Sequence, residues 1–301
     1  MEVIRFLQSF SSDFLNYVMI FITSFGSLYV LIALSAIIYW CCNKKIGYKM
    51  AVILSCSSVL NNFVKGFVQT PRPIGVDGIS SFGEFTATGY SFPSGHAQNI
   101  TTFGANLYIF TRKISVFILS SLLIILVSIS RLYLGLHWPI DILGGIILAL
   151  IVSILLNEVL VKLNRLKANL LIGAFILFFI LGFFFIDWND MGQDYYKTMG
   201  MFVGIYIGHL FESRYVNFTP IASGVDNIMK LIIGGFTTAL LYFLLSMGFS
   251  LITFEMIIPL MGILKYFILG FWIIGVVPLI FKLSNLYYKE AYEITNVKYK
   301  K

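Results

Sequence analysis

The chain has 301 residues, of which 58% are hydrophobic, 17% aromatic and only 12% charged, and its formal net charge is +7. A soluble domain is nearer half apolar and a quarter charged, so the composition excludes an ordinary soluble protein and indicates a membrane protein. The basic residues lie in short clusters between apolar runs, which is typical of the positive-inside bias of membrane proteins and does not indicate a nucleic-acid partner.

The apolar runs predict an all-α fold, a polytopic membrane helical bundle with about nine transmembrane helices. Residues 2–22 carry aromatic side chains at helical spacing, which predicts an N-terminal amphipathic helix in the membrane interface. The runs that follow are long enough to cross the hydrocarbon core. In chain order, they lie at 24–42, 46–69, 95–112, 114–136, 138–163, 167–186, 197–213, 227–252 and 256–281.

The Lys and Arg residues of the connections fall mainly on one side of the membrane when the nine spans alternate. That side includes the cluster Lys44, Lys45 and Lys49 as well as the basic C-terminal tail. Because cytoplasmic loops are enriched in Lys and Arg, we expect the C-terminus to be cytoplasmic and the N-terminus to lie outside. The longest polar connection, residues 70–94, then faces the extracytoplasmic side.

Three clusters of ionisable residues interrupt the apolar pattern. They are KGFVQTPRP from Lys65 to Pro73, YSFPSGH from Tyr90 to His96, and the pattern S-R-x5-H-x3-D from Ser130 to Asp141. Membrane helices rarely hold ionisable groups without a functional reason. On the predicted topology all three clusters lie at the same outer face, so we expect them to converge.

The first requirement of phosphate chemistry is an anion site, and the clusters contain its components. Lys65, Arg72 and Arg131 supply three cations for a dianion, and arginine can bind two phosphate oxygens at once. Ser94 and Gly95 follow a proline and begin a predicted helix, where free backbone N–H groups and the helix dipole favour an anion. The sequence therefore predicts a phosphate-binding site.

The second requirement is a nucleophile with an orienting partner. His137 precedes Asp141 by about one helical turn, so the carboxylate can accept the N–H of one imidazole nitrogen. The other nitrogen is then free to act as a nucleophile. His96, next to the predicted helix start, is a second candidate for acid–base chemistry.

These motifs resemble the three-part signature of the type 2 phosphatidic acid phosphatase superfamily, which reads K-x6-R-P, P-S-G-H and S-R-x5-H-x3-D. The resemblance implies a two-step phosphatase reaction that needs no metal and no other cofactor. His137 would attack phosphorus, Asp141 would hold its tautomer and His96 would protonate the leaving alkoxide. The charge on the phosphoryl oxygens would be stabilised by Lys65, Arg72, Arg131, Ser94 and Gly95.

The resemblance also implies a division of the chain into three segments. Residues 1–23 would form the interfacial N-terminal helix, and 24–163 the phosphatase core with the three motifs. Residues 164–301 would add further transmembrane helices and a basic cytoplasmic tail.

The expected substrate is a lipid phosphate or pyrophosphate monoester, of the phosphatidate, sphingoid-base phosphate, phosphatidylglycerophosphate or polyprenyl diphosphate type. It would enter from the bilayer at the extracytoplasmic face of the cell membrane. A soluble sugar phosphate, and transfer of the phosphoryl group to another lipid, would use the same residues and stay open as alternatives. A non-enzymatic alternative is a transporter that uses the pocket to bind an anion. A homo-oligomer is also left open.

Overall fold

A computed structural model of the protein describes residues 1–162, 193–251 and 257–286, together with the single positions 173, 175, 177, 180 and 182. Within these residues the secondary structure is helical and contains no strand, which confirms the predicted all-α class. The chain forms two compact units. Unit 1 contains Met1–Ile32 and Ile53–Tyr195, and unit 2 contains Ala33–Val52 and Tyr196–Lys301.

Eleven α-helices are described. They are α1 (Glu2–Gln8), α2 (Asp13–Ser24), α3 (Leu28–Ile37), α4 (Lys44–Val68), α5 (Gly95–Thr111), α6 (Ile114–Tyr133), α7 (Pro139–Lys162), α8 (Gln193–Phe211), α9 (Gly224–Ser250), α10 (Ile258–Phe271) and α11 (Val277–Leu283). Short π-helical segments extend α3, α8 and α10 at Ile38–Cys42, Glu212–Val216 and Trp272–Val276. A single 3-10 turn, Glu84–Thr86, lies in the long polar connection.

Five described helices are long and apolar enough to cross a membrane, which supports the prediction of a polytopic membrane protein. They are Lys44–Val68, Ile114–Tyr133, Pro139–Glu158, Gly224–Ser250 and Ile258–Leu283. The bent pair Asp13–Ser24 and Leu28–Cys42, with an angle of 51°, makes a sixth if it forms one span. The predicted span 167–186 falls almost entirely outside the described residues. The total of nine spans and the interfacial position of the N-terminus therefore stay predictions.

A ladder of buried polar side chains connects α4, α5 and α7 in unit 1. Near the start of α5 the Asn61 amide donates to Gln98 Oε1 at 2.7 Å, and the Gln98 amide donates to Ser57 Oγ at 2.9 Å. Farther along α5 the Asn106 amide donates to Ser153 Oγ on α7 at 2.9 Å. Hydrogen bonds of this kind hold helices together where lipid offers no hydrophobic driving force. The ladder thus fixes three of the helices whose ends carry the sequence motifs.

Two adjacent glycines let α7 approach the start of α5 closely. A Cβ at Gly145 would lie 2.6 Å from the backbone oxygen of Ser94, and one at Gly144 would lie 2.4 Å from the Phe92 ring. Real Cβ atoms do not tolerate such distances, so larger residues here would push the two elements apart. The glycines therefore position the PSG turn against α7.

Unit 2 has its own buried contacts. Tyr39 Oη donates to Ile274 O at 3.2 Å, and the Trp40 indole donates to Ile273 O at 3.0 Å. The Glu212 carboxylate is buried and forms an ion pair with Lys44 at 2.7 Å. A buried carboxylate is stable only when it is paired and hydrogen-bonded. The Lys44–Glu212 ion pair therefore stabilises the packing within unit 2.

Candidate active site

The eight residues singled out in the sequence all lie in unit 1, at consecutive helix ends. Lys65 is in the last turn of α4 and Arg131 in the last turn of α6. Ser94 is the N-cap of α5, so Gly95 and His96 begin that helix. Asp141 is in the first turn of α7, and Arg72 and His137 lie in the connections before α5 and α7.

His137 and Asp141 form a buried pair. His137 Nδ1 lies 3.2 Å from Asp141 Oδ2, and the two side chains are 1% and 0% exposed. The same carboxylate oxygen accepts the backbone N–H of Trp138 at 2.7 Å. The carboxylate is therefore held from two directions, and it faces the imidazole as the sequence spacing predicts.

The other ring nitrogen of His137 defines the tautomer. Arg72 Nη1 lies 3.0 Å from His137 Nε2, and a guanidinium can only donate. Nε2 therefore accepts with its lone pair, and the proton of the neutral ring is on Nδ1, where it is donated to Asp141. This arrangement leaves a nucleophilic nitrogen directed towards a phosphate-binding cation.

Arg72 donates hydrogen bonds to four backbone oxygens. Its guanidinium donates to Thr88 O at 2.7 Å, Gly89 O at 2.9 Å, Leu136 O at 2.8 Å and Tyr90 O at 3.2 Å. Burial lowers the pKa of Arg72 to about 10, while the carboxylates of Asp141 and Asp194 raise it. The guanidinium therefore stays charged at neutral pH and keeps a defined orientation beside His137.

The two other cations are bound by the same short segment of the long connection, residues 86–91, which we term the strap. Lys65 Nζ donates to Tyr90 O at 2.8 Å. Arg131, which is fully buried, donates to Thr86 Oγ1 at 2.8 Å and to Thr23 Oγ1 at 3.2 Å. All three cations of the predicted phosphate site thus contact one strap.

The start of α5 supplies the remaining components of the site. The backbone N–H of Ser94 donates to Asp141 O at 2.9 Å, which ties this helix start to the His137–Asp141 pair. Ser94 Oγ is buried and has no hydrogen-bond partner among the described residues. A buried hydroxyl without a protein partner is available to a ligand. His96 follows in the first turn, and Gly26 permits its close packing, since a Cβ there would lie 2.9 Å from His96 Cβ.

Two residues of the strap contact predicted site residues through their side chains, although neither was itself predicted. Ser91 Oγ donates to Asp141 Oδ2 at 2.5 Å, and Thr86 binds Arg131 as described above. Ser91 is part of the YSFPSGH cluster, three residues before Ser94, so its proximity to the motif was the available signal. Thr86 lies in a polar connection that offered no such signal, because only folding brings it to Arg131.

Replacement of Ser91 by alanine is expected to lower kcat about tenfold, because Asp141 would lose a charge-assisted hydrogen bond that orients it. KM for the phosphate ester should change less than threefold, since Ser91 does not contact the anion site. Steady-state kinetics check this split. Ser91→Thr keeps the hydroxyl and should restore most of kcat; equal defects in both variants would show that only packing matters.

The pKa of His137 lies well below its ordinary value because the ring is buried and because positive charges nearby disfavour its protonation. These charges belong to Arg72, Arg131, Lys65 and His96. A lowered folded-state pKa means that, between that value and the unfolded value of about 6.5, only the unfolded chain takes up the proton. As pH falls through this window, wild type should therefore lose thermal stability relative to His137→Gln, which cannot titrate. Melting curves from pH 8 to pH 5 measure the difference; parallel curves would contradict the prediction.

Comparisons with known proteins identify the family of the chain. The family model described as PAP2 superfamily matches residues 46–165, and a second, described as PAP2 superfamily phosphatase, transmembrane extension, matches residues 196–290. An undecaprenyl-diphosphatase of Sulfolobus acidocaldarius is 33% identical over 142 residues, which are 47% of this chain and 68% of that protein.

One more distant relative and one solved structure are also similar to parts of the chain. Phosphatidylglycerophosphatase B of Bacillus subtilis is 29% identical over 167 residues, covering 51% of this chain and 79% of that protein. The crystal structure of Aquifex aeolicus LpxE aligns with a TM-score of 0.45 and 23% identity over 51% of this chain and 92% of that chain. The family matches, and the coverage of the Sulfolobus relative, confirm the resemblance given by the motifs. The chain belongs to the PAP2 superfamily and is an integral membrane phosphatase.

Proposed function

We propose that the protein hydrolyses a lipid phosphate monoester at the outer face of the membrane through a phosphohistidine on His137. The observation that carries the proposal is the arrangement of His137 between Asp141 and Arg72. Nδ1 is 3.2 Å from a carboxylate that can hold the proton, and Nε2 is 3.0 Å from a cation that can hold the phosphoryl group.

The proposed anion site carries the charge that its substrate needs. Lys65, Arg72 and Arg131 contribute three positive charges, which outweigh the negative charge of Asp141 and favour binding of a monoester dianion. The three cations bind oxygens of the strap. Phosphate oxygens form stronger charge-assisted hydrogen bonds than neutral carbonyls, and we expect them to replace part of these contacts. The Ser94 hydroxyl and the Gly95 N–H would complete the site.

The proposed reaction has two steps. In the first, His137 Nε2 attacks phosphorus and the bond from phosphorus to the ester oxygen breaks, while His96 donates a proton to the leaving oxygen. In the second, His96 takes a proton from water, the water oxygen attacks phosphorus, and the bond from phosphorus to nitrogen breaks. The products are an alcohol and inorganic phosphate, and both histidines return to their initial state.

A lipid substrate is supported by the surroundings of the site. Phe67, two residues after Lys65, is 84% exposed, and Phe85, next to Thr86 in the strap, is 79% exposed. Large aromatic side chains exposed at a helix end are typical of the membrane interface. The names of the Sulfolobus and Bacillus relatives, an undecaprenyl-diphosphatase and a phosphatidylglycerophosphatase, also point to lipid substrates.

The proposed location of the site on the extracytoplasmic side depends on the distribution of basic residues. The outer ends of α4 and α6 carry the site, and Lys44 and Lys45 at the opposite end of α4 lie on the basic side. Access of a membrane-impermeant thiol reagent to a single cysteine at Gly75 in intact cells, after the three natural cysteines are replaced, would test this orientation.

The activity is tested with purified protein in detergent and in liposomes, without added metal. Phosphate release is measured from phosphatidate, a sphingoid-base phosphate, phosphatidylglycerophosphate, a polyprenyl monophosphate and diphosphate, and glucose 6-phosphate. We expect at least one lipid to be hydrolysed with a kcat/KM at least 100-fold above that of the sugar phosphate. Faster hydrolysis of the sugar phosphate would favour the soluble-substrate alternative, and no turnover of any compound would overturn the proposal.

A further inference from the structure

Asp194 is an acidic residue beside the cations of the site, and it lies outside the three motifs. It is in the first turn of α8, within unit 1. Its backbone oxygen accepts from the Asn62 amide at 3.3 Å, one turn before Lys65 on α4. The main chain at Asp194 is thus attached to the helix that carries the first site cation.

The carboxylate of Asp194 contacts the strap at the point where the strap binds Arg72. Thr88 Oγ1 donates to Asp194 Oδ2, and the backbone oxygen of the same threonine accepts from Arg72 Nη2 at 2.7 Å. Thr88 therefore links the Asp194 carboxylate to the Arg72 guanidinium. The carboxylate is also close enough to raise the pKa of Arg72 against the effect of burial.

A carboxylate in this place changes the charge balance of the pocket. The three cations outweigh the negative charge of Asp141, so the pocket attracts a phosphate dianion. With Asp194 the pocket holds one further negative charge at its partly exposed edge. A diphosphate monoester carries more negative charge than a monophosphate ester, so a further negative charge in the pocket disfavours its binding more strongly. Repulsion between like charges near a protein surface still amounts to a kcal/mol or more at about 7 Å.

We propose that Asp194 is a specificity-determining residue that disfavours diphosphates and thereby selects monophosphate esters as the substrate class. The inference rests on the proposed phosphatase function and refines it. The carboxylate acts on the second phosphoryl group by repulsion, and the attack on the first is left to His137.

The test compares Asp194→Asn with wild type on a polyprenyl monophosphate and the diphosphate of the same alcohol, in the same liposomes. Asparagine removes the charge but keeps an oxygen that can accept from Thr88. We expect the ratio of kcat/KM for diphosphate over monophosphate to rise about tenfold in the variant. The rise should shrink in high salt if it is electrostatic, whereas a structural effect would not change.

Glu84→Gln is the matched control. Glu84 is an exposed acid on the same connection, in the 3-10 turn before the strap. Its neutralisation removes the same charge and should change the substrate ratio less than twofold. A second measurement uses inorganic pyrophosphate and phosphate as inhibitors of monophosphate hydrolysis; Asp194→Asn should lower the inhibition constant of pyrophosphate more than that of phosphate.

The outcomes separate the inference from the function on which it rests. If wild type hydrolyses a lipid and the substrate ratio is the same in Asp194→Asn, or shifts equally in Glu84→Gln, the role of Asp194 is overturned and the phosphatase function stands. If wild type hydrolyses neither polyprenyl phosphate but does hydrolyse another lipid of the panel, the role of Asp194 in selecting between them is overturned and the phosphatase function stands; if it hydrolyses none of the lipids, both fail. A tenfold, salt-sensitive shift confined to Asp194→Asn supports both.

Discussion

Replacement of His137 by alanine is expected to lower kcat at least about 10,000-fold, because the proposed reaction begins with the attack of its Nε2 on phosphorus. The imidazole is 1% exposed and is fixed at both ring nitrogens, by Asp141 at 3.2 Å and by Arg72 at 3.0 Å. A general acid or base contributes less than a nucleophile, so His96→Ala should retain more activity than His137→Ala.

His209 provides the matched control for this prediction. It is the third histidine of the chain, and its ring stacks on Tyr48 in unit 2, with centroids 3.6 Å apart. His209→Ala should keep kcat within about threefold of wild type, because surface and packing changes away from the chemistry seldom alter catalysis strongly. The label from a substrate with radioactive phosphate should be trapped on wild type and on His209→Ala. Trapping on His137→Ala, or full activity of that variant, would contradict a phosphohistidine at this position.

Asp141→Asn is expected to lower kcat about 1,000-fold, the second largest effect. Asparagine has no negative charge to stabilise the histidine as it becomes positive, and its amide can present a donor to Nδ1 and favour the wrong tautomer. The normal carboxylate also accepts from Ser91 at 2.5 Å and from the Trp138 N–H at 2.7 Å, so the amide would have to satisfy three donors with one oxygen.

A double variant distinguishes orientation from an independent role of Asp141. If the carboxylate acts only through the imidazole, His137→Ala combined with Asp141→Asn should be no slower than His137→Ala alone. Glu158→Gln, an exposed acid near the other end of α7, is the control for loss of charge on the same helix and should be nearly neutral. A double variant that loses a further factor of 100 or more would assign Asp141 a separate function.

The predicted site residues lie together in the structure, and this convergence could be predicted because their motifs are local. The spacing of four between His137 and Asp141 fixes their contact once Pro139 begins a helix. Ser94 and Gly95 likewise had to form a helix start, since they follow Pro93 and precede a long apolar run. The alternation of spans then brought the three motifs to one face without any knowledge of packing.

The number of membrane spans and the boundaries of the segments are predicted less well from the sequence. Hydropathy detects apolar length, and it predicted a span at 197–213, where the structure has α8 with a π-helical continuation at Glu212–Val216. The division at residues 23 and 163 also stays a prediction. Such boundaries depend on which helix faces pack against each other. The length of an apolar run carries no information about that packing.

The sequence by itself determined the membrane class, the all-α fold and the family, and it predicted the eight residues of the candidate site, because each depends on composition or on contacts between residues close in the chain. Only the tertiary structure decided which residues support that site. Thr86 and Ser91 reach Arg131 and Asp141 through the strap, and Asp194 reaches the strap from α8 across 106 positions of sequence. Hydrogen bonds between such distant residues follow from helix packing, which no local spacing encodes.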